Sequence, residues 1–169
     1  MGTARDPLDA QTMVMNPSTE FADLYERHYA AVYHSALRVT GNPADAEDVL
    51  QTVFLRMLNQ HLDLPYAPER YLRRAAVNAA LDVLRRRVSH QEIQLDEADW
   101  VASKENPPFL KEQLRRALAS LDPADAAMFL LRYLEGMSNG ELAEMFGQEK
   151  NNIAVRLHRI RQSLQAEME

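Results

Sequence analysis

The sequence predicts an all-α protein built from two small helical domains. Three observations lead to this prediction. Apolar residues recur every three or four positions along most of the chain, and no stretch alternates with the period of two typical of a strand. A capping residue followed by proline, the usual start of a helix, occurs within each half, at Asn42-Pro43 and Asp122-Pro123. An acidic segment without helical periodicity, residues 89–108, separates the two halves and is predicted to be a flexible linker.

The first domain is predicted over residues 19–88, after a tail of residues 1–18 that we expect to be disordered. An apolar stripe runs from Phe21 through Tyr25 and Tyr29 to Ala36. Gly41-Asn42-Pro43 then ends this helix and starts the next, with Asn42 as the N-cap. The second stripe runs from Ala46 to Leu58. A third helix is predicted from Pro68 to about Arg87, so the domain contains three helices.

The second domain is predicted over residues 109–169. One stripe begins at Leu110, and Asp122-Pro123 repeats the pattern of a cap followed by proline. Ser138 and Glu141 have the spacing of a capping box, and Gly147 ends the short helix that they start. A longer amphipathic helix follows. A short helix, a turn and a longer helix with a basic outer face predict a helix-turn-helix motif.

The composition excludes several classes of protein. With 46% hydrophobic and 26% charged residues, the 169-residue chain is typical of a soluble globular protein. It has no cysteine, which excludes disulfides, cysteine-ligated zinc and a thiol nucleophile. The longest apolar run, residues 126–131, is far too short to span a membrane, and the N-terminus does not have the pattern of a signal peptide. We therefore expect a cytoplasmic protein without membrane insertion.

The net charge of −6 conceals two basic segments. Residues 70–87 carry a net charge of +5 and residues 148–166 a net charge of +3, whereas residues 20–60 and 88–112 are acidic. Two basic surfaces on an acidic protein are what binding to a phosphate backbone requires. Two solvated helix faces are the alternative interpretation.

Polar and basic residues of the last helix are candidates for DNA binding. In a helix-turn-helix motif, the start of the second helix meets base edges and residues further along contact phosphates. The base-edge candidates are Glu149, Lys150, Asn151 and Asn152, and the phosphate candidates are Arg156, Arg159 and Arg161. An ordinary helical hairpin with an arginine-rich exposed face is the alternative.

A second candidate site lies on the third helix. Arg74, Asn78, Asp82 and Arg86 are spaced by four residues and therefore share one face. Asn78 is predicted to bind a nucleotide while Asp82 orients the arginines toward phosphate. The alternative is a structural cluster in which Asp82 holds Arg85 or Arg86 in an ion pair.

Four stretches of the chain resemble the extracytoplasmic-function sigma factors of bacterial RNA polymerase. FADLYERHYAAVYHSALRVTGNPADAEDVLQTVFLRM and YLRRAAVNAALDVLRRR are similar to the sigma-2 domain, the second containing Asn-x-x-x-Asp-x-x-Arg-Arg. LKEQLRRALASLDPADAAMFLLRYLEGMSNGELAEMFG and IAVRLHRIRQSL are similar to the sigma-4 domain. The order and spacing of the four stretches along one chain make the resemblance specific.

The resemblance implies a factor that joins core RNA polymerase and directs it to promoter DNA. It implies that Asp45, Asp48, Gln51 and Phe54 dock on the polymerase. The third helix, with Asn78, Asp82, Arg85 and Arg86, would engage the minus-ten element, and the last helix the minus-thirty-five element. The loop from His61 to Glu69 would capture a flipped base, which would offset the cost of melting. An anti-sigma regulator is a further implied partner.

The chain departs from the family pattern around the recognition helix. Gln148 and Glu149 stand where a small apolar residue and a capping Ser or Thr are usual, and Ala154 and Val155 stand where Lys and Ser are common. These departures leave open a sigma-like interaction protein that binds polymerase or a regulator but reads DNA weakly. A response-regulator-type activator is a weaker alternative, because the first ninety residues lack the strand pattern of a receiver domain.

The sequence offers no support for catalysis. The five histidines have no metal-ligand spacing with carboxylates, and no glycine-rich phosphate loop exists. We therefore expect neither enzymatic activity nor a metal or other cofactor.

Overall fold

The computed structural model describes residues 17–60, 68–94 and 107–169, and these residues form seven α-helices without a strand. The helices are α1 (Pro17–Thr40), α2 (Pro43–Gln60), α3 (Pro68–Gln94), α4 (Pro107–Ser120), α5 (Pro123–Tyr133), α6 (Asn139–Phe146) and α7 (Lys150–Met168). The predicted all-α fold is confirmed. Most of the predicted tail, of the base-capturing loop and of the predicted linker lies outside the described residues. Pro17 and Ser18, predicted to belong to a disordered tail, are the first residues of α1, and Pro68 and Glu69 of the predicted loop are the first residues of α3.

The first domain is a bundle in which α1, α2 and α3 pack against one another. Its core is made of small and branched side chains at helical spacing, all of them buried: Val32, Ala36, Val49, Val53, Leu72, Ala76, Val77, Leu81 and Leu84. Alanines at two of these positions allow the helix axes to approach closely.

The predicted helix starts are confirmed by their hydrogen bonds. The Asn42 Oδ1 atom accepts from the backbone N–H groups of Ala44 and Asp45 at 2.9 and 3.2 Å. The Asp122 side chain caps α5 in the same way. At the start of α6, Ser138 and Glu141 exchange both hydrogen bonds of the capping box. Local sequence therefore determines where these helices begin.

The predicted end of the third helix is wrong. The helix continues past Arg87 to Gln94, because residues 88–94 contain neither glycine nor proline to stop it. Of the predicted linker, residues 89–94 therefore belong to α3, and residues 107 and 108 belong to α4.

Some residues of the predicted apolar stripes are exposed. Tyr25 is 38% and Tyr29 47% exposed, and Leu58 and Leu110 also lie at the surface. The two tyrosines lie at the edge of their stripe and stack on each other with ring centroids 5.6 Å apart. At this edge, the two rings are therefore stabilised by contact with each other while both remain partly exposed to solvent.

The two domains pack on each other, which the sequence did not predict. Helix α3 of the first domain contacts both α4 and α5 of the second, and the buried side chains of both domains form one continuous core. In the part of the chain that the structure describes, no helix combines the length and apolar content needed to cross a bilayer.

Candidate DNA and polymerase interfaces

Helices α6 and α7 form a helix-turn-helix with a tight turn. Gly147 adopts a left-handed conformation (φ 62°) that glycine tolerates best, and the Gln148 N–H donates to the Ala143 carbonyl at 3.0 Å. Leu142 and Ile153, one on each helix, are completely buried. The cap, the turn and these apolar contacts fix the orientation of α7.

The first turn of α7 presents its predicted base-contacting residues to solvent. Lys150, Asn151 and Asn152 are all exposed, as is Arg159 further along the helix. Glu149 is the N-cap but makes no side-chain capping bond, so its carboxylate is free to turn outward. The predicted surface is therefore accessible, with one negative charge at its edge.

Arg156 is placed differently from the other predicted phosphate contacts. Its guanidinium forms an ion pair with Asp125 and lies 3.9 Å from the Asp122 carboxylate. These carboxylates belong to the start of α5, so Arg156 fixes α7 against α5. In the free chain, this contact holds the predicted recognition helix in place.

On α3, the predicted cluster divides into covered and exposed side chains. Arg74 is half-buried: its Nη1 donates to the Met145 carbonyl at 2.9 Å, and its guanidinium lies 4.6 Å from the centre of the Phe146 ring. Asn78, Asp82 and Arg86 are exposed. The predicted shared face is therefore partly covered by α6.

Asp82 pairs with Arg85, whose Nη1 lies 3.4 Å from the Asp82 carboxylate. The second terminal nitrogen of Arg85 is buried and has no hydrogen-bond partner among the described residues. Arg86 makes no ion pair with any residue of the described ranges. Both roles considered for Asp82 are thus compatible with its geometry, and Arg86 remains available to a phosphate.

The predicted polymerase-binding residues of α2 differ in their exposure. Asp48 and Gln51 are exposed and lie on the same side of the helix. Asp45 is half-buried and forms an ion pair with Arg87 of α3. Phe54 is only 3% exposed and packs edge-on against Tyr25, so it supports this face from within the core and does not form part of it.

Sequence reasoning missed a set of ion pairs that link the domains. Arg70 lies 3.0 Å from the Glu141 carboxylate and 3.4 Å from that of Glu144, and Glu135 contacts both Arg38 and Arg73. The six arginines of residues 70–87 indicate that acidic partners are needed. The partners of Arg70 and Arg73 in the second domain lie more than sixty residues away, which local spacing cannot indicate.

The charge at Glu141 is stabilised by its surroundings. Its hydrogen bonds from the backbone and the side chain of Ser138, together with the nearby Arg70 and Arg73, lower the pKa of this carboxyl below its ordinary value of 4.5. Across the described ranges, no group of three or more histidine or acidic side chains could hold a metal ion.

Comparisons with known proteins agree with this arrangement. The sigma-70 region 2 family model matches residues 24–89, and the sigma-70 region 4 model matches residues 111–164. The chain is similar to the ECF RNA polymerase sigma factor SigE of Mycolicibacterium smegmatis, with 32% identity over 84% of this chain and 59% of SigE. It is 30% identical to the RNA polymerase sigma factor CarQ of Myxococcus xanthus, over 82% of this chain and 83% of CarQ.

A solved structure shares the fold. The sigma factor RpoE of Bartonella quintana, in complex with the anti-sigma factor NepR, matches with a TM-score of 0.51 and 18% identity, covering 88% of this chain and 96% of that chain. Two helical domains, the second ending in a helix-turn-helix, define the class as a DNA-binding transcription factor. Within that class, the chain belongs to the extracytoplasmic-function group of RNA polymerase sigma factors.

Proposed function

We propose that this protein is an alternative sigma factor that binds core RNA polymerase, directs it to a class of promoters and helps to melt them. The observation that carries this proposal is the succession of a region 2 match and a region 4 match along one chain, the second containing an exposed recognition helix. The role is one of binding and needs neither a cofactor nor catalysis by this chain.

Polymerase binding is assigned to the exposed face of α2. Asp48 and Gln51 offer a carboxylate and an amide beside the exposed apolar side chain of Leu55. Such a surface suits a partner helix with basic and apolar residues, since charge complementarity selects the partner and apolar contact adds affinity. Asp45 and Phe54 support this face through the Arg87 ion pair and the core.

Minus-ten recognition and melting are assigned to α3. Asn78 offers both a donor and an acceptor to a base, and Arg86 offers an unpaired cation to phosphate. Asp82 holds Arg85 beside them. Binding unpaired bases at this face and at the adjoining loop would offset the energy that melting costs.

Minus-thirty-five recognition is assigned to the start of α7. Lys150, Asn151 and Asn152 would meet base edges in the major groove while Arg159 contacts phosphate. Arg156 would contact phosphate after leaving Asp125, and Arg74 would join the minus-ten face of α3 after leaving Met145 and Phe146.

The test compares two single arginine substitutions in reconstituted transcription. Arg86→Ala removes an exposed cation from the proposed promoter face, and Arg27→Ala removes an exposed cation from α1. We expect Arg86→Ala to lose promoter-directed transcripts while still co-eluting with core polymerase, and Arg27→Ala to behave as the unmodified protein. Equal transcript yields from both variants would contradict the assignment of α3.

A sigma-like interaction protein that reads DNA weakly is a second candidate. It is favoured by the Glu149 carboxylate at the DNA-facing end of α7 and by the engagement of Arg156 with Asp125. Under this alternative, the protein co-elutes with core polymerase but yields no discrete transcripts on any promoter-bearing DNA. Glu149→Ser would test the contribution of this charge, because serine would restore a capping side chain and remove the repulsion from phosphate.

We further propose that the protein acts in the cytoplasm, beside the polymerase, and that an anti-sigma protein regulates it. A regulator of this kind would cover the α2 face or the α7 face and thereby compete with polymerase or DNA. The regulation is tested by measuring whether such a regulator and core polymerase compete for the unmodified protein.

A further inference from the structure

One branched apolar side chain of α7 lies outside the core. Ile153, Leu157 and Ile160 are at most 4% exposed, whereas Val155 is 52% exposed. Val155 follows Ile153 by two residues, which places it about 200° further around the helix, on the side opposite the buried stripe. A single exposed valine has no special meaning on a protein surface. Its importance here depends on the side chains that surround it.

Val155 lies in the middle of the face of α7 that is assigned to DNA. Asn151 lies four residues before it and Arg159 four residues after it, so the three side chains share one face of the helix. All three are exposed, as is His158 beside them. The rise from Asn151 to Val155 is about 6 Å, which corresponds to roughly two base-pair steps. Asn151 and Val155 are therefore spaced to meet neighbouring bases in one major groove.

The position of the Val155 side chain is well defined. The buried stripe of α7 holds one side of the helix in the core, and Arg156, on a flank of the helix, forms its ion pair with Asp125 of α5. Valine is branched at Cβ and has one strongly preferred rotamer in a helix. Its two methyl groups therefore keep one arrangement on the outer face and lose little rotamer freedom when they are contacted.

The chemistry of valine restricts what Val155 can read in a groove. Its side chain neither donates nor accepts a hydrogen bond. Against the polar edge of a G·C pair it would exclude water from the base atoms without replacing their lost hydrogen bonds. The C5 methyl of thymine is the apolar group that base pairs present in the major groove, and apolar side chains contact it there. The neighbouring Asn151 has the amide that suits the N6 and N7 atoms of adenine.

We propose that Val155 is a specificity-determining residue, whose methyl groups contact the C5 methyl of a thymine in the minus-thirty-five element, beside the base that Asn151 meets. This inference rests on the proposed function of α7. Valine in place of the serine that is common at this position then changes which base is read. Because the contact involves no charge, it adds specificity without adding to the salt dependence of binding.

The test uses deoxyuridine, which differs from thymidine only by lacking the C5 methyl. Run-off transcription on fragmented genomic DNA with core polymerase identifies the shared upstream element, and a promoter duplex that carries this element is the probe. Each thymine of the element, on either strand, is replaced singly by deoxyuridine, and binding of the reconstituted holoenzyme is measured at several salt concentrations. We expect one replacement to weaken binding about three- to fourfold, the effect of one buried methyl group, and by the same factor at every salt concentration.

Variants of the protein assign the methyl contact to Val155. Val155→Ala should bind the thymine and uracil duplexes equally, and it should fold, because the side chain is exposed and alanine favours a helix more than valine does. Leu110→Ala shortens an exposed apolar side chain of α4 and should retain the full effect of the uracil replacement. A Val155→Ala variant that responds to uracil as strongly as the unmodified protein would overturn the proposal.

The outcomes separate failure of this proposal from failure of the proposed function. If no new transcripts appeared, both would be overturned. If transcripts appeared but their upstream element contained no thymine, or no uracil replacement changed binding, the proposed function would stand and only the role of Val155 would be wrong. An effect of uracil that disappears in Val155→Ala and persists in Leu110→Ala would support both.

Discussion

Arg74 and Met145, 71 residues apart in the sequence, are joined by a hydrogen bond of 2.9 Å from the guanidinium to the backbone carbonyl. This bond connects the predicted minus-ten helix to the first helix of the helix-turn-helix motif. A residue that sequence reasoning assigns to DNA thus has a protein partner in the free chain. The same surface therefore takes part in both the packing of the domains and the proposed function.

Arg156 and Arg159 should differ when each is changed to alanine, although both lie on α7. Arg156→Ala should lower the free energy of unfolding by about 1 kcal/mol, since it breaks the ion pair with Asp125. Arg159→Ala removes an exposed side chain and should change stability by less than about 0.5 kcal/mol. Urea unfolding of the two variants measures this difference, and equal destabilisation would contradict it.

The exposed side chain of Arg159 should matter for binding to promoter DNA. Arg159→Ala should weaken binding and reduce the slope of log affinity against log salt by about one, because one phosphate contact is lost. Titrations at several salt concentrations measure this slope. An unchanged slope would mean that Arg159 does not contact phosphate.

Asp48 and Asp45 both lie on α2 but should differ in their effect on polymerase binding and on stability. Asp48→Ala, together with Gln51→Ala, should reduce affinity for core polymerase with little change in stability, because both side chains are exposed. Asp45→Ala should instead lower stability by about 1 kcal/mol by removing the partner of Arg87. Polymerase affinity and thermal unfolding of each variant check the assignment, and full polymerase affinity in the Asp48→Ala/Gln51→Ala variant would refute it.

Alanine at two turn glycines should have different consequences. Gly147→Ala meets no neighbouring atom and should cost only the strain of a left-handed backbone, about 1–2 kcal/mol. Gly41→Ala has the same kind of strain (φ 65°) and also displaces the Arg115 guanidinium. The guanidinium is the end of a flexible side chain, so the added cost is that of its hydrogen bond from Nε to the Val39 carbonyl, and Gly41→Ala should be the more destabilising of the two by about 1 kcal/mol.

The Arg115→Ala background supplies the control for this comparison. Without the guanidinium, Gly41→Ala should cost no more than Gly147→Ala. Denaturant unfolding of the single and double variants gives the coupling between the two positions. A cost of Gly41→Ala that is independent of Arg115 would show that the close contact has no energetic role.

The lowered pKa of Glu141 predicts how stability depends on pH. A carboxyl whose pKa is lower in the folded than in the unfolded state stabilises the fold above about 4.5, and this contribution is lost as the pH falls through its folded pKa. Glu141→Gln keeps the capping geometry and removes the charge. Its stability deficit should therefore be present at pH 7 and disappear in acid. A deficit that is constant with pH would contradict the role of the charge.

Much of the fold could be predicted because its determinants are local. Asn42, Asp122 and the pair Ser138 and Glu141 cap helices through residues two or three positions away, and Gly147 ends α6 through its own backbone conformation. The apolar pattern does not predict the end of α3, because the helix continues beyond the point where that pattern stops. Helical propensity continues without an apolar face in residues 88–94.

The candidate sites were predicted less completely because they depend on distant contacts. Helical spacing placed Asn78, Asp82 and Arg86 on one face, and all three are exposed. Spacing could not reveal that α6 covers Arg74 or that Phe54 is buried beneath the α2 face. Those facts depend on how α6 packs on α3 and how α1 packs on α2, which no local sequence pattern reveals.

The proposed role of this protein is to direct initiation by core RNA polymerase. Run-off transcription on fragmented genomic DNA, with purified core polymerase in the presence and absence of the protein, tests this most directly. We expect discrete new transcripts whose upstream regions share two sequence elements, one for α3 and one for α7. No new transcripts, despite stable co-elution of the protein with core polymerase, would contradict it.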